Sequence, residues 1–189
     1  MISQQEKEKL LQQHAKVIWF TGLSGAGKST IAEALEKKLH EERFKTQMLD
    51  GDIIRNGINK NLTFSIEDRL ENIRRISEVS KLLLSGGVIC LNTFISPTQE
   101  IRDMARSIVG PGNFIEVYVA TPLEVCEQRD VKGLYRAVRS GVIKNFTGIT
   151  SPYEPPLNPD LSLRTHDRSV EEAMMEVYEF ILPMIKYRD

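Results

Sequence analysis

Nine consecutive residues, Gly22-Leu23-Ser24-Gly25-Ala26-Gly27-Lys28-Ser29-Thr30, restrict what this chain can become more than any other part of it. They follow the apolar run Val17-Ile18-Trp19-Phe20 and open a segment whose apolar positions, Ile31, Ala34, Leu35 and Leu39, recur at helical spacing. The order is strand, phosphate-binding loop, helix. Glycines let the backbone wrap a polyphosphate, so that successive N–H groups and the N-terminus of the next helix face the anion. Lys28 reaches the β- and γ-phosphates and Ser29 holds Mg²⁺. An ordinary Gly-rich turn would account for the glycines, but not for Lys-Ser placed directly before a helix. The segment reads as a nucleoside triphosphate site.

The rest of the chain alternates in the same way. Apolar, β-branched runs at 17–21, 46–49, 88–94, 114–119 and 161–163 are predicted strands, with helical patterns between them. This predicts an α/β fold: a single three-layer α/β/α P-loop NTPase domain over residues 1–189, with a mostly parallel sheet covered by helices on both faces. Residues 1–15 form an N-terminal helical extension in this reading. Ser65 with Asp68 marks a helix start, and Leu70, Ile73, Ile76, Val79 and Leu83 its buried stripe, ending at Gly86-Gly87. Ser169 with Glu172 opens the last helix, whose core face is Val170, Ala173, Met174, Val177 and Ile181; its methionines read as core. Pro152, Pro155, Pro156 and Pro159 forbid regular structure in residues 151–159, a rigid connector or the base of a lid.

Charge balance excludes whole classes of partner. With 25 basic against 26 acidic residues, no global field draws the chain to nucleic acid or a membrane surface, so any anion site must be built locally. Cys90 and Cys126 have no CxxC or metal-ligand spacing and read as two buried thiols. Residues 1–15 lack the apolar core of a signal peptide and no stretch is long enough to span a bilayer, which reads as a cytoplasmic protein.

A phosphate loop does not by itself name the acceptor. Asp50-Gly51-Asp52 follows the second predicted strand, where ligands sit in open α/β sheets. A carboxylate there orients an acceptor hydroxyl and takes its proton, or holds Mg²⁺ through water. An Asp-Gly turn explains Asp50 and Gly51 but not Asp52 followed by Arg55. Arg69 and Asn72 share one helix face and suit an anionic substrate, although spacing alone also fits a solvated face. Ser96, in Ile95-Ser96-Pro97 after the third strand, can donate to a phosphate or sulfate oxygen. Arg129, Lys132, Arg136 and Arg139, with Lys144 beyond, form a basic series interrupted by Gly133 and Gly141 and leading into Asn145-Phe146-Thr147-Gly148. A mobile lid over residues 127–151 is the expectation.

Taken together, GLSGAGKST at 22–30, LDGD at 49–52 with Arg55, RLENIRR at 69–75, FISP at 94–97, RDVKGLY at 129–135 and KNFTG at 144–148 resemble the adenylylsulfate kinase family. The motifs stand in family order from about residue 15 to 165. The resemblance implies phosphorylation of the 3′-hydroxyl of adenosine 5′-phosphosulfate (APS) by MgATP, giving 3′-phosphoadenosine 5′-phosphosulfate (PAPS) and ADP. Carried over by position, it implies Asp52 as catalytic acid or base, and Lys28 and residues 22–30 around the ATP phosphates. It also implies Arg55, Arg69, Asn72, Ile95 and Ser96 around the phosphosulfate and ribose, and Phe64 and Phe146 stacked on the APS adenine. Lys132 and Asn145 become further APS contacts, and Arg129 lies against the ATP adenine. Ser96 matches a serine described as able to carry phosphate, but direct in-line transfer is the simpler expectation. A homodimer and functional coupling to ATP sulfurylase are expected by family analogy.

Two positions depart from the family pattern. Thr98-Gln99 stands where an aromatic and an arginine commonly follow FISP, and Ala120 where the strand more often ends in Asp. Loss of an arginine near the substrate would weaken APS affinity, with Arg102 and Arg106 close in sequence. Rival readings are another small-metabolite kinase, such as a shikimate or gluconate type, which would not need Phe64 and Phe146 as stacking rings, and a non-catalytic nucleotide module, against which Lys28, Ser29 and Asp52 argue. A GTPase is disfavoured because Asn59-Lys60-Asn61 is followed by Leu62 rather than by the Asp that reads guanine.

Overall fold

The computed structural model describes residues 1–187. Five parallel strands, β1 (Val17–Thr21), β2 (Thr46–Asp50), β3 (Ile89–Thr93), β4 (Phe114–Val119) and β5 (Leu161–Leu163), form one sheet in the order β2-β3-β1-β4-β5. The central strands are apolar because both of their faces are covered. One face carries α2 (Lys28–Glu41) and α8 (Val170–Ile185): Ile18, Phe20, Leu91 and Val117 point there, with Leu35, Leu39, Val177 and Ile181. The other carries α4 (Ile66–Ser85) and α5 (Gln99–Val109): Val17, Trp19, Cys90 and Phe114 alternate onto it, against Ile73, Ile76, Ile101 and Ala105. The remaining helices are α1 (Gln4–Leu11), α3 (Gly51–Asn56), α6 (Leu123–Arg129) and α7 (Leu134–Arg139).

The helix starts follow local chemistry. Ser169 and Glu172 form a reciprocal capping box on α8. At α4 the Ser65 hydroxyl accepts the Asp68 amide, but the Asp68 carboxylate turns away to accept from the Thr63 amide and hydroxyl, tying down the preceding loop. Two predicted core positions are exposed. Leu70 is 36% and Val170 45% accessible, because each sits in the first turns of its helix, beyond the edge of the layer it would pack against. Cys90 and Cys126 are free and buried. No helix among the described residues is long and apolar enough to cross a membrane.

Candidate active site

Sheet geometry brings the strand-end loops to one edge. β1 ends in the phosphate loop, β2 in Asp50, and β3 in Thr93 followed by residues 94–97. Gly22, at φ 149°, lies so close to β4 that a β-carbon would stand 2.7 Å from the Val119 carbonyl oxygen. Gly27, at φ 104°, caps α2 without a side chain, leaving the first amides of the helix to a ligand. Lys28 is buried and donates to the Gly22 and Leu23 carbonyls at 3.0 and 2.8 Å; burial pushes its pKa down to about 8. The loop is braced from behind by the Tyr135 hydroxyl donating to the Ser24 carbonyl and the Thr121 hydroxyl donating to the Ala26 carbonyl, at 2.8 and 2.9 Å.

Asp50 is the residue that sequence reasoning passed over as half of a turn. It pairs with Thr93 in the β2–β3 register, and its Oδ2 accepts from Ser29 Oγ and Thr93 Oγ1, both at 2.7 Å. Its Oδ1 accepts the Asp52 amide at 2.9 Å and so caps α3. Burial raises the carboxyl pKa, but the hydroxyl and amide donors outweigh it and hold the group below its usual range. An ionised carboxylate on the Ser29 hydroxyl at the end of the phosphate loop is a hard-oxygen set that suits Mg²⁺. The signal that points to it is its place as the last residue of a strand at the ligand edge.

A cavity of about 860 Å³ continues from this point to the segment after α6. It is lined by Ser24, Gly25, Gly27, Lys28, Ser29 and Thr30 from the phosphate side, by Asp52 and Arg55 from α3, by Phe64 from the loop between α3 and α4, and by Arg69 and Asn72 from α4. Ile95, Ser96, Lys132, Asn145 and Phe146 line it as well. Gly22, Leu23 and Ala26 lie outside, shaping the loop. Arg129 also lies outside, its guanidinium bracing the loop from behind through the Ala26 and Thr165 carbonyls at 3.3 and 2.8 Å.

The acceptor side of the cavity is cationic and aromatic. Arg55 lies 4.3 Å over the Phe64 ring, and Arg69 donates to the Phe64 and Asn145 carbonyls and the Thr147 hydroxyl. Burial lowers the pKa of both guanidiniums, and the Arg69 charge depresses Arg55 further. Neither has a carboxylate in ion-pair range among the described residues, so two half-buried cations face a cavity that calls for an anion. Asn72 is buried, with its amide oxygen accepting from Asn59 at 3.0 Å. The Phe146 ring meets Tyr135 edge-on at 5.1 Å. Ser96 has φ 46°, and its buried hydroxyl accepts the Trp19 indole N–H at 2.9 Å.

The basic series does not form one helix face, because α6 ends at Arg129 and α7 begins only at Leu134. Lys132 pairs with Asp52, Arg136 with Asp130 and Arg139 with Glu127. Nor do the nearby arginines replace the missing one after FISP. Arg102 is buried against Glu116, and Arg106 pairs with Asp160. Gln99 instead joins Arg102 and Asp103, while Thr98 caps α5.

A phosphate loop sharing one cavity with a carboxylate and an anion-seeking, aromatic-walled chamber defines a P-loop kinase of a small molecule. The chain belongs to the adenylylsulphate kinase family, whose model matches residues 14–164. An adenylyl-sulfate kinase of Bacteroides thetaiotaomicron is 56% identical over 186 residues, 98% of this chain and 92% of that protein. One from Clostridium acetobutylicum is 52% identical over 180 residues, 95% of this chain and 90% of that protein. The fold is also similar to that of the Mycobacterium tuberculosis APS kinase CysC in complex with AMPPNP and APS, with a TM-score of 0.86 and 47% identity over 89% of this chain and 98% of that one.

Proposed function

We propose that this chain transfers the γ-phosphate of MgATP to the 3′-hydroxyl of APS, giving PAPS and ADP. The observation that carries this reading is the single cavity that runs from Lys28 and Ser29 past Asp52 to the Arg55, Arg69, Phe64 and Phe146 chamber. Polyphosphate and a nucleotide acceptor fit its two halves, and the adenylylsulfate kinases at about half identity carry the specific acceptor.

In this reading Lys28 and the loop amides hold the β- and γ-phosphates, where desolvation strengthens each charge. Ser29, with Asp50 beside it, would hold Mg²⁺, which when bound would supply positive charge against the phosphates. Asp52, exposed at the cavity mouth, accepts the proton of the acceptor hydroxyl as the phosphoryl group moves in line. Arg55 and Arg69 take the phosphosulfate, and Phe64 and Phe146 take the adenine. Residues 127–151 act as a lid that excludes water. A homodimer and functional coupling to an ATP sulfurylase belong to the same proposal and rest on the family resemblance; a cytoplasmic setting belongs to it as well and rests on the sequence reading of residues 1–15 and of the apolar runs. Coupled ADP release with APS, shikimate, gluconate or no acceptor tests it: turnover with APS alone is expected, and equal rates with and without APS would overturn it.

A further inference from the structure

Three successive backbone carbonyls of the turn after β3, those of Ile95, Ser96 and Pro97, are tied into the protein. The Thr21 hydroxyl donates to the Ile95 carbonyl at 2.6 Å, Arg102 Nη1 to the Ser96 carbonyl at 2.8 Å, and the Glu154 amide to the Pro97 carbonyl at 2.8 Å. The Ile95 and Ser96 amides, by contrast, have no acceptor among the described residues, and both residues line the cavity. Successive free amides around a residue in the left-handed region make a concavity for an anion.

Arg102 is the costly member of this arrangement. Its side chain is 1% exposed, its Nε stands 3.1 Å from Glu116 Oε1, and Glu116 is 4% exposed on β4. Desolvating such a pair is expensive, and an apolar pair of the same volume would serve the core as well or better. What an apolar pair cannot supply is a donor to the Ser96 carbonyl. Trp19, stacked between Phe94 and Phe114 with centroids 5.5 and 5.4 Å away, fixes the Ser96 hydroxyl from the same side.

We propose that Arg102 is a positioning residue for the acceptor: by drawing the Ser96 carbonyl inward it holds the left-handed turn that leaves the Ile95 and Ser96 amides to the anionic end of the acceptor. This rests on the kinase reading above. Glu116 serves to make a buried guanidinium tolerable at that place.

Arg102→Lys keeps a charge opposite Glu116 but loses the fork that reaches Ser96. Arg102→Met combined with Glu116→Gln removes the pair without stranding a charge, and carries the test should the lysine variant be unstable. The expected result in either is a KM for APS raised about tenfold or more, with the AMPPNP dissociation constant within about twofold of wild type. The sole tryptophan gives one indole N–H resonance, which should shift as its Ser96 contact loosens. Wild-type KM for APS in a folded variant would overturn the proposal, as would losses of AMPPNP and APS affinity of equal size, which mark general damage. A wild-type protein inert toward APS would instead overturn the kinase reading.

Discussion

Lys132, on the short link between α6 and α7, is ion-paired with Asp52 at the start of α3, closing the mouth of the cavity from the far side. Both side chains are more than half exposed, so the pair contributes at most about 1 kcal/mol and is readily exchanged for a ligand. It joins the carboxylate assigned to the acceptor proton to a cation assigned to the acceptor itself. Substrate entering the cavity therefore replaces a contact already present.

The two carboxylates of the 50–52 turn should separate in function. Asp52→Asn is expected to lower kcat by about 10²-fold or more with little change in nucleotide affinity, since it removes the proton acceptor alone. Asp50→Asn, whose parent carboxylate sits on the Ser29 and Thr93 hydroxyls, is expected to raise the Mg²⁺ concentration needed for half-maximal rate. Mg²⁺ titrations of both variants decide it. Identical Mg²⁺ profiles, or near-normal turnover in Asp52→Asn, would remove the assignments.

Lys28 links the nucleotide site to pH. Its folded pKa of about 8 lies below the value near 10.4 of a free lysine. Between these values the unfolded chain binds more protons than the folded one, so the contribution of this group to stability rises with pH in that window, and the cost of burying the ammonium is fully present below about pH 8. Phosphate oxygens favour the charged form. AMPPNP affinity should fall by up to about tenfold between pH 8 and pH 9, with proton uptake on binding, and Lys28→Met should abolish that uptake. Calorimetry in buffers of different ionisation enthalpy measures it, and pH-independent uptake would contradict it.

Much of this arrangement was legible because it is local. The phosphate loop, its flanking strand and the alternation that yields a parallel sheet depend on spacing within a few residues, and the observed β1, β4 and β5 have the predicted bounds. Asp50, Trp19 and Tyr135 were not legible, because their meaning lies in partners far along the chain: Trp19 meets Ser96 across 77 residues and Tyr135 meets Ser24 across 111. Arg102 was not legible for another reason: its reach to Ser96 is local, but its burial against Glu116 leaves no mark in the spacing. The basic series misled for the converse reason. Helical spacing continued through Asp130-Val131-Lys132-Gly133, where the backbone turns left-handed at Asp130 and Gly133 and sends each cation to a different partner.

Ser96→Ala separates a positioning role from a covalent one. It strands the Trp19 indole N–H in the core, which should cost about 1–3 kcal/mol of stability, and should impair APS use without abolishing transfer. Denaturant unfolding reads the first effect. Quench-flow with labelled ATP reads the second, and labelled enzyme that forms and discharges at the catalytic rate would sink direct transfer.

Residues 127–151 are joined to the body by the polar contacts of four side chains: Arg129 on the Ala26 and Thr165 carbonyls, the Tyr135 hydroxyl on Ser24, Lys132 on Asp52, and Arg69 on Asn145 and Thr147. Two of these four, Lys132 and Arg69, are side chains assigned to the acceptor, so binding must rearrange them. Hydrogen exchange in this segment should be fast without ligand, slower with MgADP, and slowest with MgADP and APS together, with the greatest change around Lys132, Asn145 and Phe146. Phe146→Ala keeps the Tyr135 contact to the phosphate loop while removing one stacking ring. It should raise the APS requirement by roughly 1–3 kcal/mol, the worth of a base–aromatic contact, and leave AMPPNP binding unchanged. Equal protection in all three states, with unchanged APS dependence in Phe146→Ala, would show that these residues are a fixed part of the surface.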